Sequence, residues 1–252
     1  MYMKIKKTNL ISFASFFSAL MLWEVVGRLK IIDPTFISYP SEVFAAGAKL
    51  IANGSIFSHF LSSMEALSAG LILGIIAGVS GGILIASSKL GYRIFKPHIF
   101  ILSFMPMVAL MPLIIIWFGV GIASKIAIVF LMSLVPILIN TISGVHNTDT
   151  DLLKMARSFG ADNSTVIRTV IFFDSLPFIF SGIRVAIGRA VIGIVIAEVI
   201  GYGRGLGYLI SFYGGTFQTA RLMFVIVVLL AISLGTVGLL TLLEKAIIKW
   251  KK

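Results

Sequence analysis

The chain consists of long apolar runs separated by shorter polar stretches, and the lengths of the runs predict its fold. A helix that crosses the hydrocarbon core of a bilayer needs about 20 mostly apolar residues. We assign such helices to residues 10–28, 62–87, 98–118, 123–142, 177–200 and 222–244. The pattern therefore predicts an all-α, polytopic membrane protein with six transmembrane helices.

The composition supports a membrane protein and argues against other classes. Hydrophobic residues make up 58% of the 252 residues and charged residues 12%, whereas a soluble domain carries about 25% charged residues. Such a chain resembles neither a disordered protein nor a soluble enzyme. It has no cysteine, and its histidines, at positions 59, 98 and 146, are scattered, so neither a disulfide framework nor a metal site is expected.

The net charge of +11 is explained by the positive-inside rule, by which Lys and Arg accumulate at the cytoplasmic ends of helices. With the N-terminus inside, 15 of the 21 basic residues fall at cytoplasmic ends and 6 fall outside. Both termini are therefore predicted to be cytoplasmic, in a multi-pass membrane protein.

The chain divides into three regions by polarity. Residues 1–60 hold the first helix and a more polar extracytoplasmic segment, in which Pro40 predicts the start of a short amphipathic helix over 40–52. Residues 61–246 form the membrane domain, with a long cytoplasmic loop at about 143–176, and residues 247–252 form a basic cytoplasmic tail.

The second predicted span carries small residues at every fourth position. These positions share one helix face, where small side chains let another helix approach closely. The predicted packing face is formed by Ala66, Gly70, Gly74, Gly78 and Gly82.

Prolines within the third and fourth spans predict kinks, because proline removes a backbone donor and clashes with the preceding turn. They are Pro106, Pro112 and Pro136. Whether the kinked helices line a pathway stays open on this pattern.

The loop at 143–176 shows the pattern of two short amphipathic helices. The first is predicted over 151–159, with Asp149 or Thr150 as its N-terminal cap and Gly160 as a left-handed C-terminal residue. The second starts at 162–164. One apolar face of the first helix is formed by Leu152, Met155, Ala156 and Phe159. By pattern alone, this face either binds a partner or lies on the membrane surface.

The same loop carries a resemblance to a known family. The segment MARSFGA, followed by SLP at 175–177, is similar to the EAA loop in the inner-membrane subunits of ATP-binding-cassette (ABC) importers. Ala156 and Gly160 match the second alanine and the glycine of that motif, whereas Lys154 and Phe173 replace its glutamate and proline. Segments such as MPLIIIWFGVGIASK, SGIRVAIGRAVIGIVIAE and GLGYLI resemble the nitrate, sulfonate and taurine branch, and the resemblance spans about 40–250.

The resemblance implies a type I ABC importer permease fold in the inner (cytoplasmic) cell membrane and a role in transport, not catalysis. It implies a pathway for a small solute, an anion such as nitrate, a sulfonate or taurine, delivered by an extracytoplasmic binding protein. It implies two ATPase subunits that bind and hydrolyse ATP, a second permease subunit in an expected homodimer, no nucleic acid and no cofactor on this chain. The coupling residues would be Leu152, Met155, Ala156, Arg157, Phe159 and Gly160.

Charged residues inside predicted spans need a physical reason, because a charge in lipid is unfavourable. Arg184 lies near the cytoplasmic end of the fifth span and can extend to the interface, whereas Arg189 lies deeper. Arg189 is a candidate to meet an anionic substrate in the pathway, although pairing with a carboxylate is the interpretation that the sequence favours.

Two other functional classes stay open. A secondary transporter or channel would work without an ATPase, but such transporters often contain inverted repeats, and no convincing repeat is seen. A membrane enzyme would need polar catalytic groups clustered at one depth. The chain lacks the G-x-x-x-x-G-K-[ST] pattern of a phosphate-binding loop, so a partner is expected to supply the energy.

Overall fold

The computed structural model describes residues 2–31, 33, 35–201 and 203–249, with side chains from Phe13 onward. All regular secondary structure in these ranges is helical. The helices are α1 Tyr2–Arg28, α2 Pro40–Ala52, α3 Ser55–Ala86, α4 Lys89–Phe104, α5 Met111–Phe118, α6 Ile122–His146, α7 Thr150–Ser158, α8 Asn163–Val166, α9 Phe172–Ile200, α10 Leu206–Gly215 and α11 Thr219–Ile247. A 3₁₀ turn at Met107–Leu110 precedes α5, and a π turn at Ile167–Ile171 joins α8 to α9.

Three of the described helices are long and apolar enough to cross a membrane: α3, α6 and α11. The bent pair Lys89–Phe104 and Met107–Phe118 makes a fourth if it counts as one span. The all-α membrane fold is therefore confirmed, and the count of six spans stays a prediction. Of the predicted basic tail, residues 250–252 lie outside the described residues.

The prediction of one kinked helix over 98–118 is wrong, because the chain bends by 87° between Phe104 and Met107. Pro106 cannot continue the helical hydrogen bonds, and its ring pushes the preceding residue away from the helical conformation. Met105 is accordingly extended, with φ −67° and ψ 126°. In contrast, α6 runs through Pro136 without ending. The second predicted span also begins earlier than residue 62, since α3 starts at Ser55.

The glycine-rich face of α3 lies directly against α6. An added Cβ at Gly78 would sit 2.8 Å from the Cβ of Ile137, so the two backbones approach to a distance that only glycine permits. The facing pairs are Gly70–Val129, Gly74–Ser133, Gly78–Ile137 and Gly82–Thr141. Because the residue numbers of the two helices rise together along these pairs, α3 and α6 run parallel. The bent α4–α5 segment returns the chain to the end where α3 began.

A neighbouring face of α6 packs against α9, which runs antiparallel to it. Gly182 lies against Asn140 in the second half of α6, and Gly193 lies against Met132 closer to its start. The apolar core therefore centres on α6, which packs against both α3 and α9. At the end of the bundle where α3 and α6 begin, a second cluster joins α2, α10 and α11 through buried side chains such as Val43, Leu206 and Phe224.

Candidate functional site

The helix α7 is bounded by two capping structures. The side chain of Asp149 accepts a hydrogen bond from the backbone N–H of Asp151 at 2.8 Å, which satisfies a free donor of the first turn. At the other end, the N–H of Gly160 donates to the carbonyl of Arg157 and the N–H of Ala161 donates to that of Ala156. This pair of bonds is a Schellman motif, and it requires the left-handed φ of +82° found at Gly160.

The apolar face of α7 is open. Met155 is 53% exposed and Phe159 is 86% exposed, which is unusual for large apolar side chains outside lipid. Arg157 is not part of the apolar face of this helix and is also exposed. A groove of about 260 Å³ runs between α7 and the start of α9. It is lined by Leu152, Met155, Ala156, Phe159, Thr169, Val170, Phe173 and Asp174.

The second half of the loop joins α7 to α9 through capping and cross-helix hydrogen bonds. Asp162 caps α8 by accepting a hydrogen bond from the N–H of Thr165 at 3.0 Å. The hydrogen bonds from Thr165 hold the pKa of the Asp162 carboxyl below its ordinary value of 3.8. The backbone N–H of Asp149 donates to the carboxylate of Asp174 at 3.1 Å, so the start of α7 is attached to the first turn of α9.

The two arginines of α9, Arg184 and Arg189, have different surroundings. The guanidinium of Arg184 pairs with the carboxylate of Glu244 on α11 at 2.5 Å. Arg189 is exposed on α9, and no ion pair involving it occurs among the described residues. The favoured pairing of Arg189 with a carboxylate is therefore not found in this part of the chain, and the paired arginine is the one expected to reach the interface.

A buried ion pair lies at the other end of α9. Lys125 and Glu198, only 7% and 2% exposed, approach to 3.2 Å between Nζ and Oε1. The Oγ of Ser63 also donates to the Glu198 carboxylate at 2.8 Å. We call the side chains of Ser63, Lys125 and Glu198 the polar clamp.

The sequence pattern does not predict this cluster, because it places Lys125 only among the basic residues at the outside ends of the spans. A carboxylate at the end of an apolar helix, followed by glycines at every second position from Gly201 to Gly207, was the available signal. Within this run, Gly205 has no room for a Cβ, which would lie 2.0 Å from the Cδ of Glu198. No group of His, Asp or Glu side chains suited to a metal ion occurs among the described residues.

Comparisons with known proteins show which family the chain resembles. Residues 70–249 match the family described as "Binding-protein-dependent transport system inner membrane component". The chain is 32% identical over 230 residues to the putative aliphatic sulfonates transport permease protein of Bacillus subtilis (strain 168), covering 91% of this chain and 83% of the relative. It is 30% identical to the taurine transport system permease protein of Escherichia coli (strain K12), over 77% and 73% of the two chains. It is 31% identical to the riboflavin transport system permease protein of Chloroflexus aurantiacus, over 86% and 82%.

Proposed function

The chain belongs to the family of inner membrane components of binding-protein-dependent transport systems, in the sulfonate and taurine branch of ABC importer permeases, and on this premise we propose that it forms the pathway of an ATP-driven importer. In this proposal an extracytoplasmic binding protein delivers a small solute, two ATPase subunits dock on the cytoplasmic side, and two copies of the chain enclose the pathway. All six predicted helices cross the membrane, and both termini are cytoplasmic.

The observation that carries the proposal is the open apolar face of α7. A helix of nine residues is too short to be stable alone in water, and the rest of the described chain leaves Met155 and Phe159 more than half exposed. A groove in a soluble ATPase subunit covers such side chains by binding an amphipathic helix on its apolar face. Met155, Ala156 and Phe159 then form the contact, and Gly160 sets the direction in which the chain leaves it.

The exposed guanidinium of Arg189 supports a second copy of the chain. An unpaired charge facing lipid is unfavourable, and such residues usually face protein or water. Its neighbours Val185 and Ile192 are 47% and 53% exposed, so this face of α9 is open along two turns. We propose that it faces the pathway between two permease subunits.

The proposed solute is a small anion or a molecule with an anionic group. Arg189 would attract such a group, and two relatives are named for aliphatic sulfonates and for taurine. A third relative is named for riboflavin, so family membership alone does not select the solute. We therefore test taurine, butanesulfonate and nitrate as separate probes.

The coupling proposal is tested by placing a charge on each side of α7. Ala156→Glu puts a carboxylate on the apolar face, and Ser158→Glu puts the same carboxylate on the exposed polar face as a matched control. Each variant is purified from membranes with the ATPase subunits of the same importer, and ATP-dependent uptake of the three probes is measured in vesicles. We expect Ala156→Glu to insert but to lose the ATPase subunits and uptake, while Ser158→Glu retains both.

Equal retention of the ATPase subunits by both variants would overturn the coupling role. If α7 lies on lipid instead, Ala156→Glu weakens membrane contact and leaves the ATPase subunits bound. Uptake that proceeds without ATP in the unmodified protein would contradict the importer mechanism itself.

A further inference from the structure

The polar clamp lies at the end of α9 that is farthest from the loop at 143–176, which the proposed function makes the coupling loop. Glu198 belongs to the last turn of α9, Ser63 to the beginning of α3 and Lys125 to the beginning of α6. The clamp therefore joins three helices at one end of the bundle. With 29 residues, α9 extends about 43 Å from the coupling loop to this point.

The clamp also binds the turn that leads into α10. The N–H of Leu206 donates to the Oγ of Ser63 at 2.8 Å, and the N–H of Gly207 donates to the Glu198 carboxylate at 2.9 Å. The N–H of Gly205 donates to the Nδ1 of His59 at 3.1 Å. Three successive backbone donors at the start of α10 are thus satisfied by side chains, as an isolated helix start could not achieve.

Lys125 completes the attachment from the opposite direction. Its ammonium donates to the carbonyl of Arg204 as well as to the Oγ of Ser62 and to Glu198. One cation therefore holds the turn, α3 and α9 together. Separating these groups would leave a carboxylate and an ammonium buried without partners, which is strongly unfavourable.

The turn fits against α9 too closely to slide along it. In addition to the contact of Gly205 with Glu198, a Cβ at Gly207 would lie 2.5 Å from the carbonyl oxygen of Val195. Beyond the turn, Leu209 and Tyr213 of α10 are buried in the cluster shared with α2 and α11. The end of α9 could move without α10 only if these contacts were broken.

We propose that the polar clamp joins α9 and α10 into one rigid unit, so that a movement of α9 begun at the coupling loop reaches α10 at the opposite end of the bundle. This inference rests on the proposed function, because the ATPase subunits supply the movement. Glu198 and Lys125 act as positioning residues, and they contact no solute in this role. The clamp stays closed throughout the transport cycle and is not a gate.

Movement of α10 is measured at Ser211, which is exposed on α10, in a chain that has no cysteine of its own. The thiol of Ser211→Cys is labelled in the assembled transporter without nucleotide and after trapping with ATP and vanadate. We expect the labelling rate to differ between the two states in the native background. Glu198→Ala and Lys125→Met should remove that difference, whereas Lys49→Met, which replaces an exposed lysine of α2, should preserve it.

Two results of this measurement would overturn the clamp. An unchanged labelling rate at Ser211→Cys in an assembled complex that hydrolyses ATP would show that α10 does not move with the cycle. A full nucleotide-dependent difference in assembled Glu198→Ala would show that the clamp is not the joint. Failure of the unmodified chain to bind its ATPase subunits would instead contradict the proposed function.

A covalent bridge tests the closed clamp without depending on the folding of these variants. Ser62→Cys and Arg204→Cys are combined in the native background and joined with a short bis-thiosulfonate reagent, which tolerates geometries that a disulfide does not. The Oγ of Ser62 lies 3.3 Å from the carbonyl of Arg204. We expect ATP hydrolysis in vesicles to be unchanged by the bridge. Loss of hydrolysis on bridging, with recovery on reduction, would show that the turn opens as a gate.

Discussion

At the scale of single residues, the glycines of this chain have different physical roles that composition alone does not separate. Gly160 has a left-handed φ, but an added Cβ would meet nothing within 4 Å. Gly78 has ordinary helical geometry and no room at all beside Ile137. Gly205 combines a positive φ with contact against a buried carboxylate. A substitution at each site therefore tests backbone conformation, helix packing or both.

Gly160 offers a test of backbone conformation alone. A left-handed φ costs an L-residue about 1–2 kcal/mol and a β-branched residue more, whereas asparagine tolerates it. We expect Gly160→Val to insert in the membrane but to lose bound ATPase subunits, and Gly160→Asn to retain most of them. Co-purification and ATP hydrolysis measure the difference. Equal binding by the two variants would mean that the direction of the chain after α7 is unimportant.

Asp162 gives a pH dependence with a defined sign. Its pKa is lowered in the folded loop by the hydrogen bonds from Thr165, so the cap stabilises α8 at pH values above the ordinary value of 3.8. That stabilisation is lost as the pH falls through the lowered folded pKa. The protection of the Thr165 amide against hydrogen exchange, relative to the intrinsic rate at the same pH, should fall in acid. In Asp162→Asn, which keeps a capping oxygen, the protection should lose this acid dependence; an unchanged profile would argue against the cap.

At the scale of elements, local signals predicted helix ends well and long segments poorly. The helix over 40–52 and the ends of α7 depend on Pro40, Asp149 and Gly160, each of which acts within one turn. The bend near Pro106 was predicted only as a kink, because the sequence does not show whether a helix resumes in the same direction. The Lys125–Glu198 contact joins residues 73 positions apart, and no periodic pattern encodes such a pairing.

The face shared by α3 and α6 is tested by adding carbon at two glycines of one helix. At Gly78 a Cβ would meet Ile137 at 2.8 Å, whereas at Gly81 its nearest neighbour is the Cδ1 of Leu138 at 3.6 Å. We expect overpacking in Gly78→Ala to lower the free energy of unfolding of the purified complex by about 1–3 kcal/mol. We expect Gly81→Ala to have little effect. Gly78→Leu and Gly74→Leu should prevent assembly.

Assembly of both leucine variants in normal yield would show that the α3–α6 contact can be widened at no cost. The alanine pair is the finer measurement, because it adds the same atom to the same helix at positions that differ only in the distance to α6. Similar stability of Gly78→Ala and Gly81→Ala would contradict close packing at this face.

At the scale of the whole molecule, the directions of the helices link the coupling loop to the polar clamp. α3 and α6 are parallel and α9 is antiparallel to them, so the coupling loop and the polar clamp lie at opposite ends of the bundle. α11 runs back from the clamp, since its first turns meet α2 and its Glu244 meets Arg184 near the loop. These directions fit the alternation expected from the distribution of basic residues.

The orientation in the membrane is tested with single cysteines. Tyr213 is buried and is therefore unsuitable, whereas Asn53, Phe217 and Asn163 are exposed. An impermeant thiol reagent added outside intact cells should label Asn53→Cys and Phe217→Cys but not Asn163→Cys, which becomes reactive after the membrane is opened. Outside labelling of Asn163→Cys would reverse the predicted orientation.

The π turn at Ile167–Ile171 has a consequence for insertions and deletions. Removing one residue from an α-helix rotates everything beyond it by about 100°, which would displace Arg189 and Glu198 from their faces. A π turn closes its hydrogen bonds over one more residue than an α-helical turn. We expect the loss of a single residue here to convert the turn to an α-helical one and to leave the register of α9 intact, so the loop at 143–176 should tolerate a change of one residue in length.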